Sequence, residues 1–139
     1  MKATLRNILA VIVGIVIGGM VNMGIITISG SIIPPPEGAD LSTTEGIKAA
    51  ADLLEAKHYI MPFLAHAIGT LVGALIAVKI AATRTFTIAM IIGGFFLLGG
   101  IAAAFMIPAP TWFIILDLAL AYIPMAWLGH KLAEKNNRF

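Results

Sequence analysis

Four stretches of the chain carry no charge, and their spacing predicts its architecture. Thirty uncharged residues separate Arg6 from Glu37, 21 separate Lys57 from Lys79, 32 separate Arg84 from Asp117, and 13 run from Leu118 to His130. A helix needs about 20 apolar residues to cross ~30 Å of hydrocarbon. The third stretch is too short for two such helices and a turn unless the last helix takes in Asp117. Pro108-Ala109-Pro110 supplies the break, because proline ends helices and restricts the residue before it. The pattern predicts an all-α integral membrane protein of four transmembrane helices in a bundle. The spans fall at about 8–32, 59–82, 86–107 and 111–130, in a single domain over residues 1–139. A loop and a short amphipathic helix at 34–58 separate the first two spans.

Composition agrees with this. The chain is 60% hydrophobic and only 12% charged, about half the charged fraction of an ordinary soluble domain. A small body is mostly surface, so so few charges could not wet it. The formal excess of +2 comes with no stripe of Lys and Arg to follow phosphates, which excludes a nucleic-acid partner. There are no cysteines, so disulfides, iron–sulfur clusters, thiol catalysis and thiolate zinc sites are excluded. Lys2 and Arg6 ahead of an apolar run resemble the start of a signal peptide. The run extends to Ile33, beyond the ~7–15 residues of a signal h-region, and has no Ala-x-Ala site. It reads as an uncleaved first span.

Basic residues set the expected direction. Lys2, Arg6, Lys79, Arg84, Lys131, Lys135 and Arg138 fall on one side, against Lys48 and Lys57 on the other. The positive-inside bias places both termini in the cytoplasm. The chain therefore reads as a small multi-pass protein of the bacterial inner membrane. Tyr59 and Trp112 fall at the outer interface, and Trp127 at the inner one, as aromatic belts do. His130, beside Lys131, reads as a further interface residue.

The outer segment opens on Pro34-Pro35-Pro36-Glu37-Gly38, a stiff polyproline-like exit. Ser42-Thr43-Thr44-Glu45 has the spacing of a capping box. Beyond it Ile47, Ala51, Leu54 and His58 form one helical stripe, with Lys48, Asp52 and Glu55 opposite. This helix either caps the helix ends or gates access to them.

Lipid tails remove most of the hydrophobic drive between helices, so small residues must let the backbones approach. Gly14 and Gly18 on the first span, Gly69 and Gly73 on the second, and Ala89, Gly93, Gly100 and Ala104 on the third provide such faces. They serve packing within the chain, a homo-oligomer or a membrane-protein partner. Ile17-Gly18-Gly19, Gly24 and the Ile33-Pro34 exit also echo Ile92-Gly93-Gly94, Gly99 and the Ile107-Pro108 exit. The echo suggests a duplicated helical hairpin with the outer helix inserted in the first copy.

Three polar residues interrupt the spans. At ~1.5 Å per residue, Asn22, His66 and Asp117 lie roughly 15, 10 and 8 Å below the outer ends of their helices. All three therefore share one layer in the outer half of the bilayer. His66 falls on the stripe of Pro62, Gly69 and Gly73, which leads outward to His58 and Glu55. An Asp at the centre of a span costs about 2.5–3.5 kcal/mol. A lone carboxylate in hydrocarbon takes up a proton instead. Asp117 is therefore protonated, reached by water, or paired, with His66 as the partner. A buried Asp–His pair is a natural proton-binding site.

The leading expectation is a substrate- or proton-binding pocket of Asn22, His66 and Asp117, open to the outside, with Glu55 and His58 as outer-face contributors. It would bind or conduct protons, a cation or a small polar solute. A non-catalytic subunit or scaffold is the alternative, since membrane polar pairs also act as interhelical glue worth ~0.6 kcal/mol. A third reading is an enzyme with an outer His/Glu/Asp site. The i, i+3, i+6 spacing of Asp52, Glu55 and His58 spreads them over more than one helix face, and no HExxH-type motif is present. No cofactor and no metal is expected.

Overall fold

The computed structural model describes residues 1–136. Arg138, counted above on the cytoplasmic side, lies outside them. Every regular element among the described residues is a helix: α1 (Ala3–Ile32), α2 (Thr44–Ala50), α3 (Ile60–Ile80), α4 (Thr85–Met106), α5 (Thr111–Leu120) and α6 (Ile123–Asn136). Short 3-10 turns follow α2 and lead into α3. Four helices are long and apolar enough to cross a membrane: Ala3–Ile32, Ala56–Ile80, Thr85–Met106, and Thr111–Asn136, which comprises α5 and α6. These are the dimensions of a multi-pass membrane protein.

The central helix is α3, which packs against α1, α4 and α6. Glycines set its approach to α1. A Cβ on Gly69 would sit 2.9 Å from the Gly18 carbonyl oxygen, and one on Gly73 would sit 2.7 Å from that of Gly14. The two glycine pairs therefore mesh with each other inside the chain, which the sequence left open. On α4 the predicted small-residue stripe faces the last span, and a Cβ on Gly93 would meet Ala126 Cβ at 2.8 Å. Gly19, Gly24, Gly94 and Gly99 have nothing within 4 Å and line open faces. The echoed pairs thus share environments: Gly18 and Gly93 are packed, while Gly19, Gly94, Gly24 and Gly99 are open. The outer face of α1 carries Leu5, Ile8, Ile12, Val16, Met20 and Met23 exposed, a surface suited to lipid.

One end of the molecule holds the long connection 33–59. At the other end α1 is tied to the short turn after α3. The Asn7 amide oxygen accepts from the Ala82 and Thr83 backbone N–H groups, Asn7 Nδ2 donates to Thr83 Oγ1 at 2.9 Å, and Arg6 Nε donates to the Ile80 carbonyl. Arg84 closes that turn with φ of 52°, a left-handed conformation that non-glycine residues seldom adopt.

The structure corrects the sequence reading in three places. The last span is not one helix, because it breaks at Ala121–Tyr122 between α5 and α6. Pro124 accounts for this: its ring clashes with the carbonyl four residues earlier, and it has no N–H to donate. Pro62, by contrast, falls in the first turn of α3, where a missing N–H is tolerated. The loop helix is also shorter than the stripe predicted. α2 ends at Ala50, and Leu54 is extended with ψ of 130°. Its N-cap is Thr43, whose side chain accepts from Gly46 N–H, and not Ser42. Ser42 is engaged elsewhere, donating through Oγ and N to Asp40 Oδ1. Those two hydrogen bonds hold the Asp40 carboxyl below the usual carboxylate range. His130 is the third correction. It is no interface residue but buried, against Thr85 Oγ1 at 3.2 Å, Glu134 Oε1 at 3.3 Å and the edge-on ring of Phe86.

Candidate functional site

α3 and α5 bring His66 and Asp117 together. His66 Nδ1 and Asp117 Oδ1 lie 2.8 Å apart. The hydroxyl of Tyr122 donates to the other carboxylate oxygen, Oδ2, at 3.0 Å. The Tyr122 ring also stacks on the imidazole, with centroids 5.8 Å apart and planes 25° apart. Behind His66, Thr70 Oγ1 donates to the His66 carbonyl oxygen at 2.8 Å. The carboxylate is buried, with 7% of its side chain exposed, while the imidazole keeps 25%.

The helix break positions Tyr122. It directs the ring back toward Asp117, five residues earlier, and α4 has only a hydrogen where the ring passes. A Cβ on Gly100 would sit 2.6 Å from Tyr122 Cζ. Tyr122 was absent from the sequence-derived site. Its signal was a lone tyrosine inside a span, two residues before a proline that loosens the helix.

His66 and Asp117 face a cavity of about 810 Å³ that all four spans and the loop enclose. It runs from Asp40, Ser42 and His58 at the loop end to His66 and Asp117 at its base. Its walls are mostly apolar, with Ile26 and Ile33 from α1, Ala103, Ala104 and Ile107 from α4, and Phe113 and Ile114 from α5. The predicted loop stripe contributes Ile47, Leu54 and His58 despite the break in the helix. An aromatic cluster at the rim joins the starts of the second and fourth spans. Tyr59 lies 4.8 Å from Phe113 and 5.8 Å, edge-on, from Trp112.

Two of the five site candidates stand apart from this group. Asn22 is not among the residues lining the cavity. It packs on Gly69, where a Cβ would meet Asn22 Cβ at 3.1 Å, and its Oδ1 is buried without a partner among the described residues. Gly69 and His66 share one stripe of α3, yet Gly69 meets α1 and His66 meets α5. Glu55 is not among the residues lining the cavity and instead caps the turn into α3. The Glu55 N–H donates to His58 Nδ1 at 2.8 Å, and its carboxylate accepts from the His58 backbone N–H. Its remaining contact is an exposed ion pair with Lys57 at 3.6 Å. His58 belongs to both arrangements, as it lines the cavity.

Among the described residues, no three His, Asp or Glu side chains converge to hold a metal ion. The outer Asp52/Glu55/His58 set therefore provides no metal centre. What the base of the cavity can do is hold and exchange a proton. An ionised Asp117 accepts at both oxygens, one from His66 Nδ1–H and one from Tyr122 OH. That leaves His66 Nε2 as the basic atom open to the cavity. Comparison with protein-family models, with curated proteins and with solved structures finds no match for this chain.

Proposed function

We propose that this chain is a permeation or transport protein of the bacterial inner membrane, with both termini in the cytoplasm, and that His66 and Asp117 bind protons or a cation arriving from the outside. One observation carries the proposal: the paired imidazole and carboxylate form the base of a cavity that reaches the loop end. Ionisable groups at membrane depth that meet a cavity usually mark a solute or proton path. Tyr122 positions the carboxylate, and His58 and Asp40 stand at the mouth. The scaffold reading draws less support, since Gly14, Gly18, Gly69 and Gly73 are consumed in packing within the chain. The open Gly19, Gly24, Gly94 and Gly99 remain available to a second copy.

The test is proton or cation flux in proteoliposomes. An imposed pH gradient should collapse faster with the protein than without it. Asp117→Asn and His66→Ala should return the rate to that of empty liposomes; wild-type rates in both would overturn the proposal. Because the chain lacks cysteine, single cysteines at Gly38 and Lys135 report its direction. A membrane-impermeant maleimide added to intact cells should label the first and not the second.

A further inference from the structure

We propose that the cavity takes an organic cation with an apolar body and a protonated amine, and that this cation and a proton compete for the His66–Asp117 pair. The inference rests on the reading above and names its substrate class. Three observations support it.

The first is the charge of the lining. Two carboxylates, Asp40 at the mouth and Asp117 at the base, face the cavity, and among the described residues no Lys or Arg does. Asp40 is exposed and screened by solvent, so the preference for cations over anions comes mainly from the buried Asp117 carboxylate at the base. The second is the wall. Isoleucine, leucine, methionine, alanine and phenylalanine side chains form most of it, so a hydrated inorganic ion would leave most of the surface without a hydrogen-bonding partner. An apolar body buries that surface instead, and about 810 Å³ falls within the usual range for a drug-sized ligand. The third is the acceptor. Asp117 has both oxygens engaged, by His66 Nδ1 and Tyr122 OH. The group left to meet a ligand is therefore His66 Nε2. With Nδ1–H donating to the carboxylate, Nε2 carries a lone pair, and the His66–Asp117 pair holds one net negative charge. An ammonium N–H supplies both the donor and the countercharge.

A proton at Nε2 removes both. The imidazolium then donates at both nitrogens and neutralises the pair, so an ammonium finds neither acceptor nor charge. Competition follows without any movement of the chain. The other titratable groups around this centre are Tyr122 from the helix break, which touches Asp117 directly, and His58 and Tyr59 from the turn before α3 and Asp40 from the loop, which line the cavity; among the described residues α1 and α4 contribute none to the lining.

The probes are 1-adamantylammonium, 1-adamantanol and 1-adamantanecarboxylate, which share one apolar cage and differ in the head. Binding to the protein in phosphatidylcholine nanodiscs is followed through the His66 ring resonances. The ammonium should bind at least tenfold more tightly than the alcohol, and the carboxylate should not bind. Ammonium affinity should fall about tenfold for each pH unit below the point at which His66 takes its second proton. Asp117→Asn should weaken ammonium binding at least tenfold. Ala104→Phe narrows the cavity from α4 and leaves both members of the pair unsubstituted. It should abolish ammonium binding while leaving the His66 titration in place. Equal affinity for ammonium and alcohol, preference for the carboxylate, or pH-independent ammonium binding would overturn the inference. If His66 titrates and Asp117→Asn alters that titration, yet no ammonium binds, the substrate class fails and the proton site stands. If His66 does not respond to pH, both fall.

Discussion

His66 Nδ1 and Asp117 Oδ1, 51 positions apart in the chain, meet at 2.8 Å and join the second span to the fourth. Each would be costly alone in hydrocarbon, so the pair offsets a burden that either helix would carry by itself. A double-mutant cycle with His66→Ala and Asp117→Asn should give a coupling of about 1–2 kcal/mol, above the ~0.6 kcal/mol average for polar contacts between membrane helices. Reversible unfolding in mixed micelles measures it. Strictly additive effects would show that the contact contributes no stability.

The α1–α3 interface predicts a graded response to alanine. Gly69→Ala places a methyl 2.9 Å from the Gly18 carbonyl oxygen, and rigid backbone must give way. We expect a loss of about 1–3 kcal/mol. Gly24→Ala meets nothing within 4 Å and should gain about 0.5–1 kcal/mol from helix propensity. The same unfolding assay separates the two, and equal effects would contradict this packing.

Tyr122 is expected to act through Asp117. Tyr122→Phe removes the hydroxyl that donates to Oδ2 but keeps the ring. Loss of one hydrogen bond to a charged group costs about 1.5–3 kcal/mol, felt as a change in the His66 titration followed by NMR. Gly100→Ala should reproduce that change, because its methyl displaces the Tyr122 ring. A His66 titration that neither variant alters would separate Tyr122 from the site.

Asp40 gives the loop its own pH dependence. Hydrogen bonds from Ser42 Oγ and N hold its folded pKa below the unfolded value. Their contribution is therefore fully present above the unfolded pKa and is lost as pH falls through the folded one. Ser42→Ala should move the Asp40 carboxyl carbon titration upward, nearer the ordinary carboxylate range. An unchanged midpoint would show that the hydroxyl plays no part.

Much of this was legible along the chain. The spans show because charge is too costly to leave in hydrocarbon, and Pro108-Ala109-Pro110 does separate the third span from the fourth. The glycine faces showed by their helical spacing, and the meeting of His66 with Asp117 was expected from the similar depth that helix rise assigns them. The break at Ala121–Tyr122 was harder to read, since a proline within a span kinks it, unwinds it or leaves it intact, depending on its neighbours. Asn22 shares the depth of the other two, but depth says nothing about direction around the bundle. Its face is turned to Gly69. His130 sits beside Lys131 in sequence, which suggested an interface, yet Thr85, Phe86 and Glu134 enclose it.

Composition and the spacing of charge by themselves determined that this chain has four apolar helices, because the cost of burying charge acts on each segment separately. Tertiary structure decided which small-residue faces meet, which polar side chain joins His66, and that a cavity lies above the pair. Those outcomes depend on contacts between segments far apart in the chain, and a hydrophobic period sets a helix's face but not its neighbour.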